Sequence, residues 1–246
     1  MSLDNTRRVY ERLGREDPLW AVLTDDQYRH NRWDIEQFFA TGREEIGRAL
    51  AQLDELSVSP QRGSALDFGC GVGRLTQALC AYFDRVVGVD ISSTMVAKAD
   101  EFNRFPGKCR YVVNTEPRLA GFADDSLDFV YTNISLQHSP PRYQAGYVRE
   151  FLRVLRPGGV AMFQVRIGPD RAPGSLAERV YRLSSEVLKP WWKRLRGRPP
   201  VQVHTIAERA IEEAICQAGG RIVAVVDADT GMRKSRKSLR YVVTRP

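Results

Sequence analysis

The stretch ALDFGCGVGRLT, residues 65–76, decides how the rest of the chain is read. Gly69, Gly71 and Gly73 alternate directly after a short apolar run that carries one acid, Asp67. Without a Cβ at these positions, a ligand can come up against main-chain atoms. A helical stretch, RLTQALCAYF, opens straight afterwards, and its first N–H groups lack partners within the helix. Strand, glycine turn and helix together predict a ligand outside the carboxyl end of the strand. RVVGVD follows as a second strand-like run and ends on Asp90, 21 residues after Gly69. An acid there can accept both hydroxyls of a ribose, which predicts a nucleoside-containing cofactor. The dinucleotide pattern GxGxxG fails, because Arg74 stands where its third glycine belongs. What remains is GxGxG, which a tight turn alone also satisfies.

Outward from this stretch, short apolar runs alternate with helical ones. STMVAKADEF, CRYVVN, SLDFVYTNI, YVREFLRVL and VAMFQVRI continue the pattern to residue 167. Strand–helix alternation predicts an α/β fold, doubly wound, with a mostly parallel sheet and helices on both faces. Residues 1–60 read instead as a helical cap segment. Asp17-Pro18 fits an N-cap followed by proline at the first helical position. Thr41 and Glu44 form a capping-box pattern ahead of a helix with Ile46, Leu50, Leu53 and Leu56 on one face. SVSPQRG (57–63) is a loop by composition. A second capping-box pattern, Thr205 and Glu208, precedes a helix that Gly219 and Gly220 end. RIVAVVD and LRYVVT finish as two strands. The alternation breaks at about 168–204, a stretch too long for an ordinary connection, which predicts an inserted helical lid in the main domain, residues 61–246.

Of the 246 residues, 43% are hydrophobic and 27% charged, which excludes a wholly disordered chain. There is no apolar run of membrane-spanning length, and MSLDNTRRVYERLG has no secretory h-region. The four cysteines form no CxxC pair and have no histidine at metal-ligand spacing. Free thiols, a cytoplasmic location and no metal are therefore expected. The net charge of +7 gathers in KPWWKRLRGR (189–198) and GMRKSRKSLR (231–240), each with five basic residues and no acid. Such runs are solvated faces, or they attract an anionic substrate, a nucleic acid or a membrane surface.

LDFGCGVGR followed by VVGVD resembles the S-adenosylmethionine site of class I methyltransferases. FADDSLDFVYTNISLQH (122–138), VREFLRVLRPGG (148–159) and VAMFQV agree with it in order. The resemblance covers roughly residues 64–167, and 205–244 resembles the family's closing helix and hairpin. It implies a seven-stranded Rossmann-like sheet, S-adenosyl-L-methionine as cofactor and S-adenosyl-L-homocysteine as product. It places Asp67, Gly69, Cys70, Gly71 and Gly73 along the methionine end. Asp90 holds the ribose, with Ile91, Ser92 and Met95 on the adenine side. The family's acid after strand three is replaced here by Asn114 or Thr115. Asn133 and Ile134 lie under the sulfonium. Arg74, or Arg43 in FFATGREEI, pairs with the cofactor carboxylate, since a guanidinium fork binds both oxygens. Ser92 also reads as a plain helix N-cap.

Methyl transfer from a sulfonium is an in-line displacement that depends mainly on alignment and water exclusion. A base is needed only where the acceptor must lose a proton. His138, in SLQHSPP after strand four, is the candidate base, and a loop-supporting role is the alternative. TNISLQH lacks the (D/N)PP(Y/F) pattern associated with adenine or glutamine-amide N-methylation. The reading is therefore methylation of a small-molecule acceptor, anionic or sugar-like, at a hydroxyl or carboxylate. RNA methylation through the basic runs and a non-catalytic cofactor-binding regulator are the alternatives. Trp191 and Trp192, beside Lys189, Lys193, Arg194 and Arg196, are candidates for acceptor stacking.

Overall fold

The computed structural model describes residues 3–169, 176, 179–180, 183–184, 201–228 and 238–246. The basic run 189–198, including Trp191 and Trp192, lies outside the described residues, as do most of the expected lid and residues 231–237.

The described strands form one seven-stranded sheet in the order β3-β2-β1-β4-β5-β7-β6. They are β1 (Ser64–Phe68), β2 (Arg85–Asp90), β3 (Cys109–Val113), β4 (Leu127–Thr132), β5 (Leu155–Arg166), β6 (Arg221–Asp227) and β7 (Ser238–Thr244). β1 to β5 pair in parallel, and β7 runs antiparallel between β5 and β6. The strand order reverses between β1 and β4. The crevice at such a switch point is where open α/β sheets take ligands. The two chain segments leaving it are the glycine loop, after β1, and Asn133–His138, after β4.

Side chains alternate across β1, so Leu66 and Phe68 face one layer while Ala65 and Asp67 face the other. The first layer is built by α6 (Pro141–Val154) and α7 (Glu208–Gln217), through Tyr147, Val148, Phe151, Ile211 and Ile215. The second is built by α3 (Ile35–Glu55), α4 (Arg74–Leu79) and α5 (Ser93–Glu101). A third cluster sits over the glycine loop. There Leu13 of α1 (Leu3–Glu16) and Trp20 of α2 (Pro18–Val22) join Phe38, Phe39, Val72 and Met95. Glu11 ties α1 down by accepting from the N–H groups of Ser93 (2.7 Å) and Thr94 (3.2 Å), orphan donors of the first turn of α5.

Asp17 caps α2 as expected, accepting from the N–H of Trp20 ahead of Pro18. Neither capping box forms. WDIEQFF and the following stretch fuse into one helix, α3, capped by Asp34. Thr41 lies inside it, with its hydroxyl donating to the carbonyl of Phe38 (2.6 Å). Continuous apolar periodicity from Phe38 to Leu53 outweighed the local signal at Thr41. α7 likewise begins after Ala207, without a side-chain cap. Thr205 precedes a backbone bridge between Ile206 and Ile167 that already constrains this segment. Gly219 ends α7 in the left-handed region (φ 72°), as a residue after a helix C-cap often does.

Candidate active site

Gly69, Gly71 and Gly73 all adopt left-handed backbone conformations, with φ of 76°, 54° and 84°. A Cβ at Gly69 would strike Ser135, one at Gly71 would strike Val22, and one at Gly73 would strike the Tyr111 hydroxyl. The close approach inferred from the sequence is thus made in the first place by the protein's own side chains. The loop's backbone geometry nevertheless leaves Gly69 and Gly71 exposed to a cavity of about 430 Å³ at the switch point.

One wall of that cavity is the glycine loop together with the carboxyl ends of β2 and β3. Asp90 lines it, and its carboxylate organises the loop. Oδ2 accepts from the N–H of Gly71 and Oδ1 from the N–H of Ser92, each at 2.9 Å. Each carboxylate oxygen can accept further bonds. Burial raises the Asp90 pKa, and the N–H donors of Ser92, Gly71 and Ile91 oppose that rise. Cys70, Ile91, Met95 and Asn114 lie on the same wall. Burial also raises the Cys70 pKa well above its usual value, so this residue acts as a small apolar group.

Five expected cofactor residues lie outside the lining. Asp67 is 1% exposed beneath the loop, where its carboxylate accepts from the Thr76 hydroxyl (2.7 Å). Burial pushes its pKa up to about 7, against that bond and the charge of Arg74. Gly73 is the N-cap of α4. Ser92 is fully buried as the N-cap of α5, accepting from the N–H of Met95 (3.2 Å). Arg43 and Thr115 are exposed. Arg74 does line the cavity, but it is engaged internally rather than held ready for a carboxylate. Its guanidinium donates to Glu45 (2.8 Å) and to the Thr41 hydroxyl (3.2 Å).

The segment after β4 forms the floor. Asn133 and Ile134 both line the cavity. Ile134 has φ of 65°, a strained conformation for a β-branched residue. Its N–H donates to the buried amide of Gln164 on β5 (2.7 Å), which helps to hold that backbone in place. His138 follows in a short 3-10 turn, Leu136–His138. Its Nδ1 lies 2.8 Å from the carbonyl oxygen of Gln202. A carbonyl only accepts, so Nδ1 carries the proton, and in the neutral ring Nε2 is the basic nitrogen. Tyr10 packs edge-on against the ring, with centroids 5.6 Å apart. His204 lies on the same segment as Gln202 and donates its backbone N–H to the Gln137 carbonyl (2.7 Å).

The roof and far wall come from residues that no motif marked: Leu3, Tyr10, Trp20, Val22, Val201 and Val203. Glu45, beneath Asn133, was also unmarked. For the residues of α1 and α2 the signal in the sequence is only the apolar face of each helix, which any packed helix shows. Among the described residues no group of three or more His, Cys, Asp or Glu side chains is arranged to hold a metal ion. No described helix is long and apolar enough to cross a membrane.

Residues 66–163 match the family model of a methyltransferase domain. The chain is 32% identical over 170 residues to a trans-aconitate 2-methyltransferase of Azoarcus, covering 67% of this chain and 60% of that protein. It is 33% identical over 135 residues to a malonyl-[acyl-carrier protein] O-methyltransferase of Methylovorus, covering 52% and 44%. A 2-methyl-6-phytyl-1,4-hydroquinone methyltransferase of Synechocystis is 31% identical over 123 residues, covering 50% and 38%. The chain thus spans from 38% to 60% of the length of these relatives. Among solved structures, the Synechocystis magnesium protoporphyrin IX methyltransferase with bound SAH superposes with a TM-score of 0.61 at 18% identity, covering 99% of each chain. The geranyl diphosphate C-methyltransferase of Streptomyces coelicolor superposes with a TM-score of 0.63 at 16% identity, covering 99% of this chain and 98% of that one.

Proposed function

From the place of this chain among the class I S-adenosylmethionine-dependent methyltransferases, to which it belongs, we propose that it methylates a small molecule at an oxygen, with His138 as the base. The observation that carries this reading is the fixed tautomer of His138, on the same cavity as Gly69, Gly71 and Asp90.

The cavity fits the cofactor. It offers bare main chain at Gly69 and Gly71 and a carboxylate with unused acceptor capacity at Asp90. It also offers the buried amide oxygen of Asn133, which has no hydrogen-bond partner among the described residues. Asp90 would accept from the ribose hydroxyls, and Asn114 would stand beside the base. Gly69, Cys70 and Asn133 would hold the methionine portion. When bound, the cofactor supplies a methyl group already activated by a sulfonium charge.

The protein's own contribution is then alignment, exclusion of water and removal of one proton. Tyr10, Trp20, Val22 and Val201 surround the reaction space with apolar surface, which strengthens electrostatic interactions inside it. His138 Nε2 takes the proton of an acceptor hydroxyl, while the Gln202 carbonyl keeps Nδ1–H in place and stabilises the imidazolium that results. A cavity of about 430 Å³ is within the size range of small-molecule sites, so the acceptor is small or enters by one end. A carboxylate acceptor is ionised already and would not need the base.

The test has two arms. Calorimetry with S-adenosylhomocysteine should show binding to the wild-type chain. A panel of phenols, alcohols and small carboxylic acids, assayed for methyl transfer, should yield products with hydroxyl acceptors whose formation depends on His138. Transfer only to carboxylic acids, unaffected by His138→Ala, would reject the base.

A further inference from the structure

Asn133 is held by a side chain from a distant part of the chain. Glu45 of α3 accepts from the Tyr131 hydroxyl (3.0 Å) and from Asn133 Nδ2 at one oxygen, and from Arg74 (2.8 Å) at the other. Arg74 and Glu45 are only 5% and 13% exposed. Burial works against the Glu45 charge, but Arg74 and the Tyr131 hydroxyl hold its pKa below the ordinary range. Glu45 is therefore a carboxylate that can only accept. The end of the Asn133 amide that faces it must be the NH₂ end, since only that end donates. Asn133 Oδ1 is then the end turned away from Glu45. It is buried and has no hydrogen-bond partner among the described residues. The Ser135 hydroxyl reaches the carbonyls of Gly69 (3.1 Å) and Asn133 (3.2 Å), which keeps Asn133 beside the glycine loop.

We propose that Glu45 is a positioning residue. It holds the Asn133 amide so that the carbonyl oxygen accepts from the α-ammonium of the cofactor's methionine portion. This rests on the methyl-donor reading above. An amide whose NH₂ donates to a carboxylate is polarised, so its oxygen becomes a better acceptor, and a cationic donor gains most from that. Arg74 neutralises Glu45 in turn, so that the pocket gains a directed acceptor without a net buried charge.

The test exchanges the two ends of the Glu45–Asn133 hydrogen bond. Glu45→Gln allows the new amide to donate, which turns the Asn133 oxygen away from the cofactor. Asn133→Asp sets two carboxylates against each other. In the double variant Gln donates to Asp, whose second oxygen replaces Asn133 Oδ1, and the charge around Arg74 is unchanged. Calorimetry on the full chain should show S-adenosylhomocysteine binding about tenfold weaker in each single variant, the scale of one charge-assisted hydrogen bond. The double variant should return to within about threefold of wild type, a coupling expected only of groups in direct contact. Asn133→Ala leaves the Glu45–Arg74 pair intact and serves if Glu45→Gln does not fold; about a tenfold loss is expected there too. With 5′-methylthioadenosine, which lacks the ammonium, Asn133→Ala should bind as wild type does. The proposal is overturned if Asn133→Ala keeps wild-type affinity for S-adenosylhomocysteine. It also falls if the exchange rescues nothing, or if methylthioadenosine suffers the same loss. A wild-type chain that binds no S-adenosylhomocysteine would sink the methyl-donor reading itself.

Discussion

The two sides of the cavity are built by different means. On the side of β1 and β2 the wall is built on main chain: Gly69 and Gly71 with positive φ, and the Asp90 carboxylate bonded to the N–H of Gly71. On the opposite side the wall is apolar side chain, Tyr10, Trp20 and Val22 from the N-terminal helices and Val201 and Val203 from the segment before α7. Main chain held by positive-φ glycines that admit no Cβ cannot be reshaped by side-chain substitution, so the first wall suits a ligand that never changes. A wall of side chains on separate segments can be reshaped one residue at a time, and it suits the partner that sets specificity. His138 sits where the two meet, anchored to the second wall through Gln202 and to α1 through Tyr10 and the Thr6 hydroxyl, which donates to its carbonyl (3.0 Å).

That division can be broken by experiment. The largest expected effect is Asp90→Ala, which removes the proposed ribose acceptor and orphans the N–H groups of Gly71 and Ser92. S-adenosylhomocysteine affinity should fall by about 1000-fold, from two charge-assisted bonds together with the loss of the carboxylate that orders the glycine loop. An unchanged dissociation constant by calorimetry would remove Asp90 from the cofactor wall. Next, His138→Ala should lower kcat for a hydroxyl acceptor by about 100-fold while cofactor affinity stays within a fewfold of wild type. Wild-type turnover across the pH range would reduce His138 to loop support. Trp20→Ala should then raise the acceptor KM by about tenfold, the scale of a lost aromatic contact, with cofactor affinity little changed. A loss of cofactor affinity comparable to that of Asp90→Ala would mean that the two walls are not separable.

The smallest effect is on stability and concerns Asp67, under the cofactor wall. Its folded pKa is raised to about 7 from an ordinary value of 3.8. Between those values the folded chain binds more protons than the unfolded chain, so this residue makes stability fall as pH rises toward 7. Above that the penalty is constant. Asp67→Asn can still accept from the Thr76 hydroxyl and carries no charge, so it should lose this dependence. Thermal unfolding of ligand-free protein should show the variant gaining on wild type as pH goes from about 4 to about 8, by a few degrees. Parallel melting curves for the two proteins over that range would refute the assignment.

Much of the first wall was legible in the sequence, because its devices are local. A glycine alternation between strand and helix, an acid at the end of the next strand and a serine three residues before an orphan N–H are each written within a short span. The resemblance set Asp67, Gly73 and Ser92 at the cofactor, whereas in the fold they lie behind the cavity lining, since nothing in a short span distinguishes a residue that supports a loop from one that faces a ligand. Arg74 and Arg43 illustrate the same gap. Either fits a carboxylate by type, yet Arg74 is already engaged by Glu45 from a helix 29 residues upstream. Arg43, two residues from Glu45, is exposed, because a helix turns by about 200° over that interval.

The strand–helix alternation, the glycine turn and the acid that ends the second strand follow from the amino-acid sequence, since periodicity and turn chemistry act over a few residues. Only the folded chain decides that Glu45 orients Asn133, that Gln202 sets the tautomer of His138, and that Val22 closes over Gly71. Those contacts join segments far apart in sequence. Their geometry depends on how whole helices pack against the sheet, which no local pattern encodes.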